Sequence, residues 1–287
     1  MLSKYNPADI ELALQNTDRS PLFPPCSDRA TWERLSTQLD EHIYSTLITD
    51  AESYIGMPIP SLPATLYLEF QRKGEREGYE SPMSQRRQML ATLSIAECLE
   101  NRGRFLDAIL DVAWATSEES SWAYPAHQQD LTDIQYPIID LGAAMTVLNL
   151  AEMDQLLGDR LDPLLCNRIR DEAERRIFTP YLIRHDHWWL YKSRIRNVNN
   201  WTAVCNCGVA GAALYLESDL SRLADIVARA ARSLDDYLDT FDRDGGSSEG
   251  PGYWDFGFGY YTVLADLVER STEGAIDFLA GARPVSY

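Results

Sequence analysis

The residues with the clearest chemical potential sit near the C-terminal third of the chain. Asn199 and Asn200 stand in "RNVNNWTAVCNCG", where an apolar helical run begins. An asparagine at that point caps a helix. Unpaired N–H groups at a helix start, beside an asparagine amide, make a seat for a carboxylate. Immediately before it lies "RHDHWWLYKSRIR", with Arg184, Lys192, Arg194 and Arg196 against one acid, Asp186. The same stretch holds His185, His187, Trp188, Trp189 and Tyr191. In a chain of formal net charge −18 this is a basic, aromatic island. Each cation taken singly reads as a solvated helix end. His185-Asp186-His187 is a weak metal candidate, because alternating residues on a non-strand segment rarely converge without further ligands. No metal and no other cofactor is expected.

A second stretch, "RDGGSSEGPGYWDFGFGYY", combines many glycines with many rings. "DRDGGSSEG" is turn chemistry that needs positive φ. Pro251 suits the first position of a helix. Beyond it Tyr253, Phe256, Gly257, Tyr260 and Tyr261 fall at three- and four-residue spacings, so several share a face. Gly257 and Gly259 each cost roughly 1 kcal/mol in a helix relative to alanine. A close backbone or a ligand is the usual reason to keep them. Aromatic faces beside open backbone suit a pyranose ring; tight helix packing with rings in the core is the competing reading. A third stretch, "ATSEESSWAYPAHQQDLTDIQYPIIDLGAAM" with Trp114 just before it, places Trp114, Glu118, Glu119, Trp122, Tyr124 and His127 in a long loop between helices, and such loops are often functional. His127 alone reads as a hydrogen-bonded structural residue.

These segments need a scaffold, and the scaffold reads as helical. Residues 28–55 read as one long helix, with Trp32, Leu35, Leu39, Ile43 and Leu47 on one side. Met57 to Pro63 is extended. "ATLYLEF", Ala64 to Phe70, is the best strand signal in the chain. Helices follow over Ser81–Asn101 with a Ser-Pro opener, Arg104–Glu119, Tyr136–Gly158, Asp162–His185, Asn200–Glu217, Ser218–Phe241 and Pro251 to about Ser271. Small-residue apolar runs such as "AVCNCGVAGAA" alternate with amphipathic ones such as "RLADIVARAARSLDDYL". That alternation predicts inner helices apolar all round and outer helices with a polar face. The fold expected is all-α, an α/α toroid built as an incomplete barrel of helical hairpins, with an irregular helical bundle as the second choice. It is read as a single domain over 1–287, with N-terminal helices and linker over 1–63 and the motif-bearing toroid over 64–287.

At 287 residues, 45% hydrophobic and 24% charged, the composition is that of an ordinary globular chain. The charge repels nucleic acid and anionic membranes, so neither is an expected partner. No apolar run approaches the ~20 residues that cross a bilayer. No secretory signal is visible, so a cytoplasmic protein is expected, or a periplasmic one if the chain is truncated. Five cysteines without framework spacing predict reduced thiols.

Taken together, "EESSWAYPAH…YPIIDLGAA", "NNWTAVCNCGVAGAAL" and above all "DGGSSEGPGYWDFGFGYY" resemble the helical domain of the heparinase II/III-like and oligoalginate-lyase-like polysaccharide lyases. "LYLEFQRKGEREGYE…RRQMLATLSIAECLE" is a weaker echo. The resemblance runs from about Leu66 to Tyr261. It implies an α/α toroid, usually followed by a β-sandwich domain, and β-elimination on a glycan containing uronic acid. In that chemistry an asparagine amide stabilises the carboxylate as charge develops. A tyrosine removes the C5 proton and often returns a proton to the leaving oxygen. Carried over by motif, Asn200 (or Asn199) binds the carboxylate and Tyr253 is the acid/base. Arg194, Arg196 and His127 hold substrate, Trp122, Trp188 and Trp254 stack on sugars, and Glu249 lines the site. Nearby Arg or Lys charges would favour the phenolate. The partner implied is an acidic oligosaccharide or polysaccharide.

Two departures stand out. Trp201 follows the asparagine where several family members carry histidine. The sequence ends at Tyr287 without a β-sandwich, so the expectation is an open, incomplete site unless a C-terminal β-sandwich of the same parent completes it. Two other classes compete. One is a glycoside hydrolase on a similar toroid, with paired carboxylates drawn from Asp244, Glu249 and Asp255 and from Glu118 or Asp140. The other is a non-catalytic glycan-binding domain. Glu249, between serine and glycine, reads rather as orienting its loop backbone.

Overall fold

The computed structural model describes residues 1–18, 20–128, 130–193 and 197–280. The described residues form helices and no strand. In chain order the α-helices are α1 (Pro7–Gln15), α2 (Arg29–Gln38), α3 (Glu41–Tyr54), α4 (Ala64–Tyr67), α5 (Glu69–Lys73), α6 (Glu77–Glu100) and α7 (Leu106–Ser117). They continue as α8 (Leu141–Leu157), α9 (Pro163–Ala173), α10 (Thr179–Ile183), α11 (Asn200–Leu216), α12 (Leu220–Leu238) and α13 (Pro251–Ser271). A π-helical turn, Glu174–Phe178, joins α9 to α10. No helix among the described residues is long and apolar enough to cross a membrane.

The chain divides into two compact units. One comprises Met1–Leu22, Ile139–Leu148 and the residues from Ala173 onward; the other comprises Phe23–Ile138 and Asn149–Glu172.

In the first unit α11 is the buried centre. Nearly all of it is small and apolar, and Thr202, Ala203, Val204, Cys205 and Gly208 through Ala213 are enclosed. It packs on both α12 and α13. Small side chains let these axes come close: a Cβ on Gly208 would lie 2.7 Å from the carbonyl carbon of Ala144 in α8. Unlike α11, α12 is amphipathic. Leu223, Ile226, Val227, Ala230, Leu234 and Tyr237 face inward, and Asp219 caps its start by accepting from Ser221 and Arg222 N–H. The N-terminal segment is tied to α12, because Asp235 accepts from the N–H groups of Leu2 and Ser3. The expected contrast between an all-apolar helix and an amphipathic one is present here.

In the second unit α6 is the longest helix and packs on α2, α3 and α7. Glu97 within it is fully buried. It accepts from Gly103 N–H at 2.8 Å and pairs with Arg160 at 3.1 Å. All five cysteines of the chain are buried and unbridged.

Three local expectations are corrected. "ATLYLEF" is not a strand but α4 and the start of α5. Extended Pro63 leads into this pair and Gly74, at φ 73°, ends it; these stop signals outweigh a short alternation. The single helix over residues 28–55 is two helices. Asp40 turns its carboxylate onto the N–H groups of His42 and Ile43, so capping a new helix replaces continuing the old one. Helix α6 begins at Glu77 rather than at Ser81, and carries Pro82 inside it without the backbone bond to Gly78.

Candidate functional site

The start of α11 lies beside the turn that precedes α13, and both are in the first unit. Asn199 is the N-cap; its side chain accepts from Trp201 N–H at 3.0 Å. Asn200 is the first helical residue and is only 4% exposed. Its backbone N–H donates to Glu249 Oε2 at 2.7 Å, and its amide Nδ2 donates to Glu249 Oε1 at 2.7 Å. The carboxylate held at this helix start is the protein's own, that of Glu249. A helix start carries roughly half a positive charge, which favours an anion there.

The loop that delivers Glu249 is built from its own backbone. Asp242 N–H donates to Gly246 carbonyl at 2.9 Å and Gly245 N–H returns to Asp242 carbonyl at 3.0 Å. Gly245 and Gly250 both hold positive φ, 83° and 87°. The indole N–H of Trp254 donates to the Gly245 carbonyl at 3.0 Å, which fastens the start of α13 to the loop.

Close packing accounts for Gly257. A Cβ there would collide with the Tyr237 hydroxyl and lie 3.1 Å from Asn200 Cβ. Asn200 thus packs against α13 one turn beyond Tyr253. Tyr253 is 57% exposed, so its phenol is open to solvent. Gly259 has nothing within 4 Å of where a Cβ would stand, and nothing in the structure explains it.

Tyr237 is the residue that the sequence reading missed. It is buried, its hydroxyl abuts Gly257, and burial followed by the charge of Glu249 drives its pKa upward. It sits in the apolar stripe of α12, where a tyrosine looks like core. Only the pairing of an inward phenol with a helical glycine marks the spot.

The remaining candidates fall in different surroundings. Trp188 is half-buried and meets Trp201 with ring centroids 4.9 Å apart. Trp254 is 38% exposed and stacks on Phe258. Arg194 and Arg196 lie outside the described residues. Trp122 and His127 belong to the second unit. Trp122 is 2% exposed and donates its indole N–H to Thr116 carbonyl at 2.8 Å, so its ring lies inside that unit rather than at a surface. His127 is half-buried and edge-on to Tyr124. Trp114 is in α7 rather than in a loop, and its indole N–H donates to exposed Glu118 at 2.8 Å.

No family model matches the chain, and no curated protein is significantly similar to it.

The carboxylates considered for hydrolysis are otherwise engaged or dispersed. Asp140 is fully buried and caps α8 through Ala143 N–H at 2.8 Å. Asp244 accepts from Gly246 N–H within the turn, and Asp255 is exposed. His185 and His187 also diverge. His185 Nδ1 faces Arg229 at 3.2 Å, whereas His187 is buried against Trp189. Among the described residues no group of three or more His, Cys, Asp or Glu is placed to hold a metal.

Glu249 is thus the clasp between α11 and the turn. Glu249→Gln keeps the shape but replaces a charged acceptor on two donors with a neutral amide. Hydrogen bonds to charged groups contribute about 1.5–3 kcal/mol, so a loss of about 2 kcal/mol is expected, with faster hydrogen exchange at the Asn200 amide. Unchanged protection at that amide would show that the clasp is not what holds the turn.

Proposed function

We propose that this chain is the helical domain of a heparinase II/III-like lyase, its helices forming part of an α/α toroid, and that it acts by β-elimination on an acidic glycan. The observation that carries this reading is the Asn200–Glu249–Gly257 arrangement with exposed Tyr253 one turn away on α13. An amide, a helix start and a phenol are the groups that this elimination requires.

In the proposed mechanism Glu249 fixes the Asn200 side chain. An asparagine amide has two N–H donors; one meets Glu249, and the other is assigned to the substrate carboxylate. Charge developing on that carboxylate as the C5–H bond breaks would be met by a donor fixed beforehand, which is where electrostatic catalysis is most effective. Tyr253 takes the C5 proton. The electron pair left at C5 forms the C4–C5 double bond as the C4–O bond breaks, and the leaving oxygen takes up a proton, which Tyr253 supplies. Trp254 and Trp188 are assigned to sugar stacking.

The test is direct. Incubating the protein with oligomers of uronic acids should produce an unsaturated sugar, read as a rise in ultraviolet absorbance. Tyr253→Phe should abolish that rise, about 10²-fold or more in kcat given the usual worth of acid–base catalysis, while sugar binding changes little. Retained turnover in Tyr253→Phe removes this residue from the mechanism.

A second reading is a non-catalytic domain that binds acidic glycan. The burial of Asn200 and the occupation of its backbone N–H and one of its amide N–H groups by Glu249 favour it. Such a domain would bind the oligomers and yield no unsaturated product.

A further inference from the structure

A different part of the first unit carries a cluster of charge that the lyase reading does not use. A cavity of about 460 Å³ is bounded by the N-terminal segment, α10 and the residues after it, and one face of α12. Its cations are Lys192, Arg229 and Arg232; its one acid is Asp225. Tyr5 and Tyr191 supply rings. Asp225, Arg229 and Arg232 recur at helical spacing, so α12 turns one charged face toward this space.

Arg229 is the unusual member. It is 7% exposed. Its Nη1 donates to Leu182 carbonyl at 2.9 Å, its Nη2 to Arg184 carbonyl at 2.7 Å, and its guanidinium lies over the Tyr181 ring at 5.4 Å. Its Nε is buried with no partner. No carboxylate among the described residues lies within ion-pair distance of it. Buried charges are ordinarily paired, because removing an ion from water is costly without a counter-charge. The carbonyls and the ring hold the guanidinium in position; they do not neutralise it. Lys192 and Arg232 are exposed and make no ion pair among the described residues, the Lys192 ammonium meeting only the Tyr191 ring at 5.5 Å.

We propose that this cavity binds a small phosphate monoester. Three cations against one acid leave a net charge of about +2, which matches the −1.5 to −2 of a phosphate monoester at neutral pH rather than the single charge of a carboxylate. Lys192 and Arg232 contact the phosphate oxygens, with Arg229 Nε behind them. Tyr5 and Tyr191 flank the organic portion. The volume lies within the usual range for small-molecule pockets, roughly 300–1,000 Å³.

The experiment is isothermal titration and thermal melting of the full chain at fixed ionic strength. The probes are glucose 6-phosphate, inorganic phosphate, glucose and galacturonate. Glucose 6-phosphate should bind and raise the melting temperature, inorganic phosphate more weakly, glucose not at all. Lys192→Gln with Arg232→Gln changes only exposed side chains and should weaken binding of glucose 6-phosphate about tenfold or more. Arg229→Met should abolish it, with helicity checked by circular dichroism. Inorganic phosphate as tight as glucose 6-phosphate would show that free phosphate is the ligand and overturn the ester. Galacturonate binding as tight as that of glucose 6-phosphate and equally weakened by the double variant, or undiminished binding of glucose 6-phosphate to the double variant, would overturn the proposal. So would no binding of either phosphate.

Discussion

Gly208→Ala should destabilise the protein by about 3 kcal/mol, although alanine is the better helix former. A Cβ at this position would fall 2.7 Å from the carbonyl carbon and 2.8 Å from the Cβ of Ala144, and nearer still to the carbonyl oxygen. The obstacle is backbone, so no rotamer change relieves it. The start of α8 must move away from α11, and the buried contacts around Val204, Cys205 and Ala212 loosen with it. Gly259→Ala is the matched control. It is also a helical glycine, but nothing lies within 4 Å of its absent Cβ. There the gain in helix propensity acts unopposed and should stabilise by about 0.5–1 kcal/mol. Urea unfolding of the two variants should thus shift in opposite directions. Equal stability of Gly208→Ala and the parent would mean that α8 and α11 are not in the close packing described.

The same two glycines show what the sequence could and could not reveal. That α11 is a buried helix follows from "AVCNCGVAGAA", since only a helix meeting neighbours on every side uses so many small apolar residues. That Gly208 meets a carbonyl, while Gly259 meets nothing, depends on which helix lies opposite, and periodicity carries no such information. The cap of α11 was legible because Asn-Asn before an apolar run is local chemistry, and the 251–271 helix because Pro251 opens it. The break at Asp40 and the helical Ala64–Phe70 were not, because short-range signals there compete at similar strength and capping and turn residues decide between them.

The candidate site divides in the same way. Glu249 was visible as a residue between serine and glycine, with two roles open to it. Its bond to Asn200, 49 residues away in sequence, is tertiary and could not be read. Tyr237 was hidden for a related reason: an inward tyrosine on an amphipathic helix looks like any other core ring. Trp122 shows the reverse case. A tryptophan in a motif suggests a sugar platform, yet burying its ring and satisfying its N–H is the more common use of so large an apolar surface.

His187 and Glu152 should tilt the pH dependence of stability in opposite directions. His187, in the first unit, is buried against Trp189 with its Nε2 unpartnered. Burial, reinforced by the positive charges of Arg184 and Arg229, pushes its pKa down to about 4. The unfolded chain, with the ordinary value near 6.5, binds a proton first. Stability from neutral His187 is therefore complete above about pH 6.5 and lost as pH falls toward 4. Glu152, in the second unit, is half-buried, and burial pushes its pKa up to about 7. Here the unfolded chain releases the proton first, from about 4.5. Stability is complete below that value and is lost as pH rises to about 7. Each shift corresponds to about 3 kcal/mol at its limit, with the Glu152 figure an upper bound because that carboxyl keeps some water. Between about pH 4.5 and 6.5 the two slopes have equal size and opposite sign, so their sum is nearly flat when the chain unfolds in one step. His187→Phe leaves the Glu152 slope uncovered, and stability should then fall with rising pH by about 1.4 kcal/mol per unit relative to the parent. Glu152→Gln should do the reverse, gaining most at pH 8 and almost nothing at pH 4. Denaturant unfolding of both variants and the double variant across pH 4–8 measures each slope. A parent and His187→Phe variant with parallel profiles would mean that this imidazole titrates alike in the folded and unfolded chains, and that its burial costs the charged form nothing.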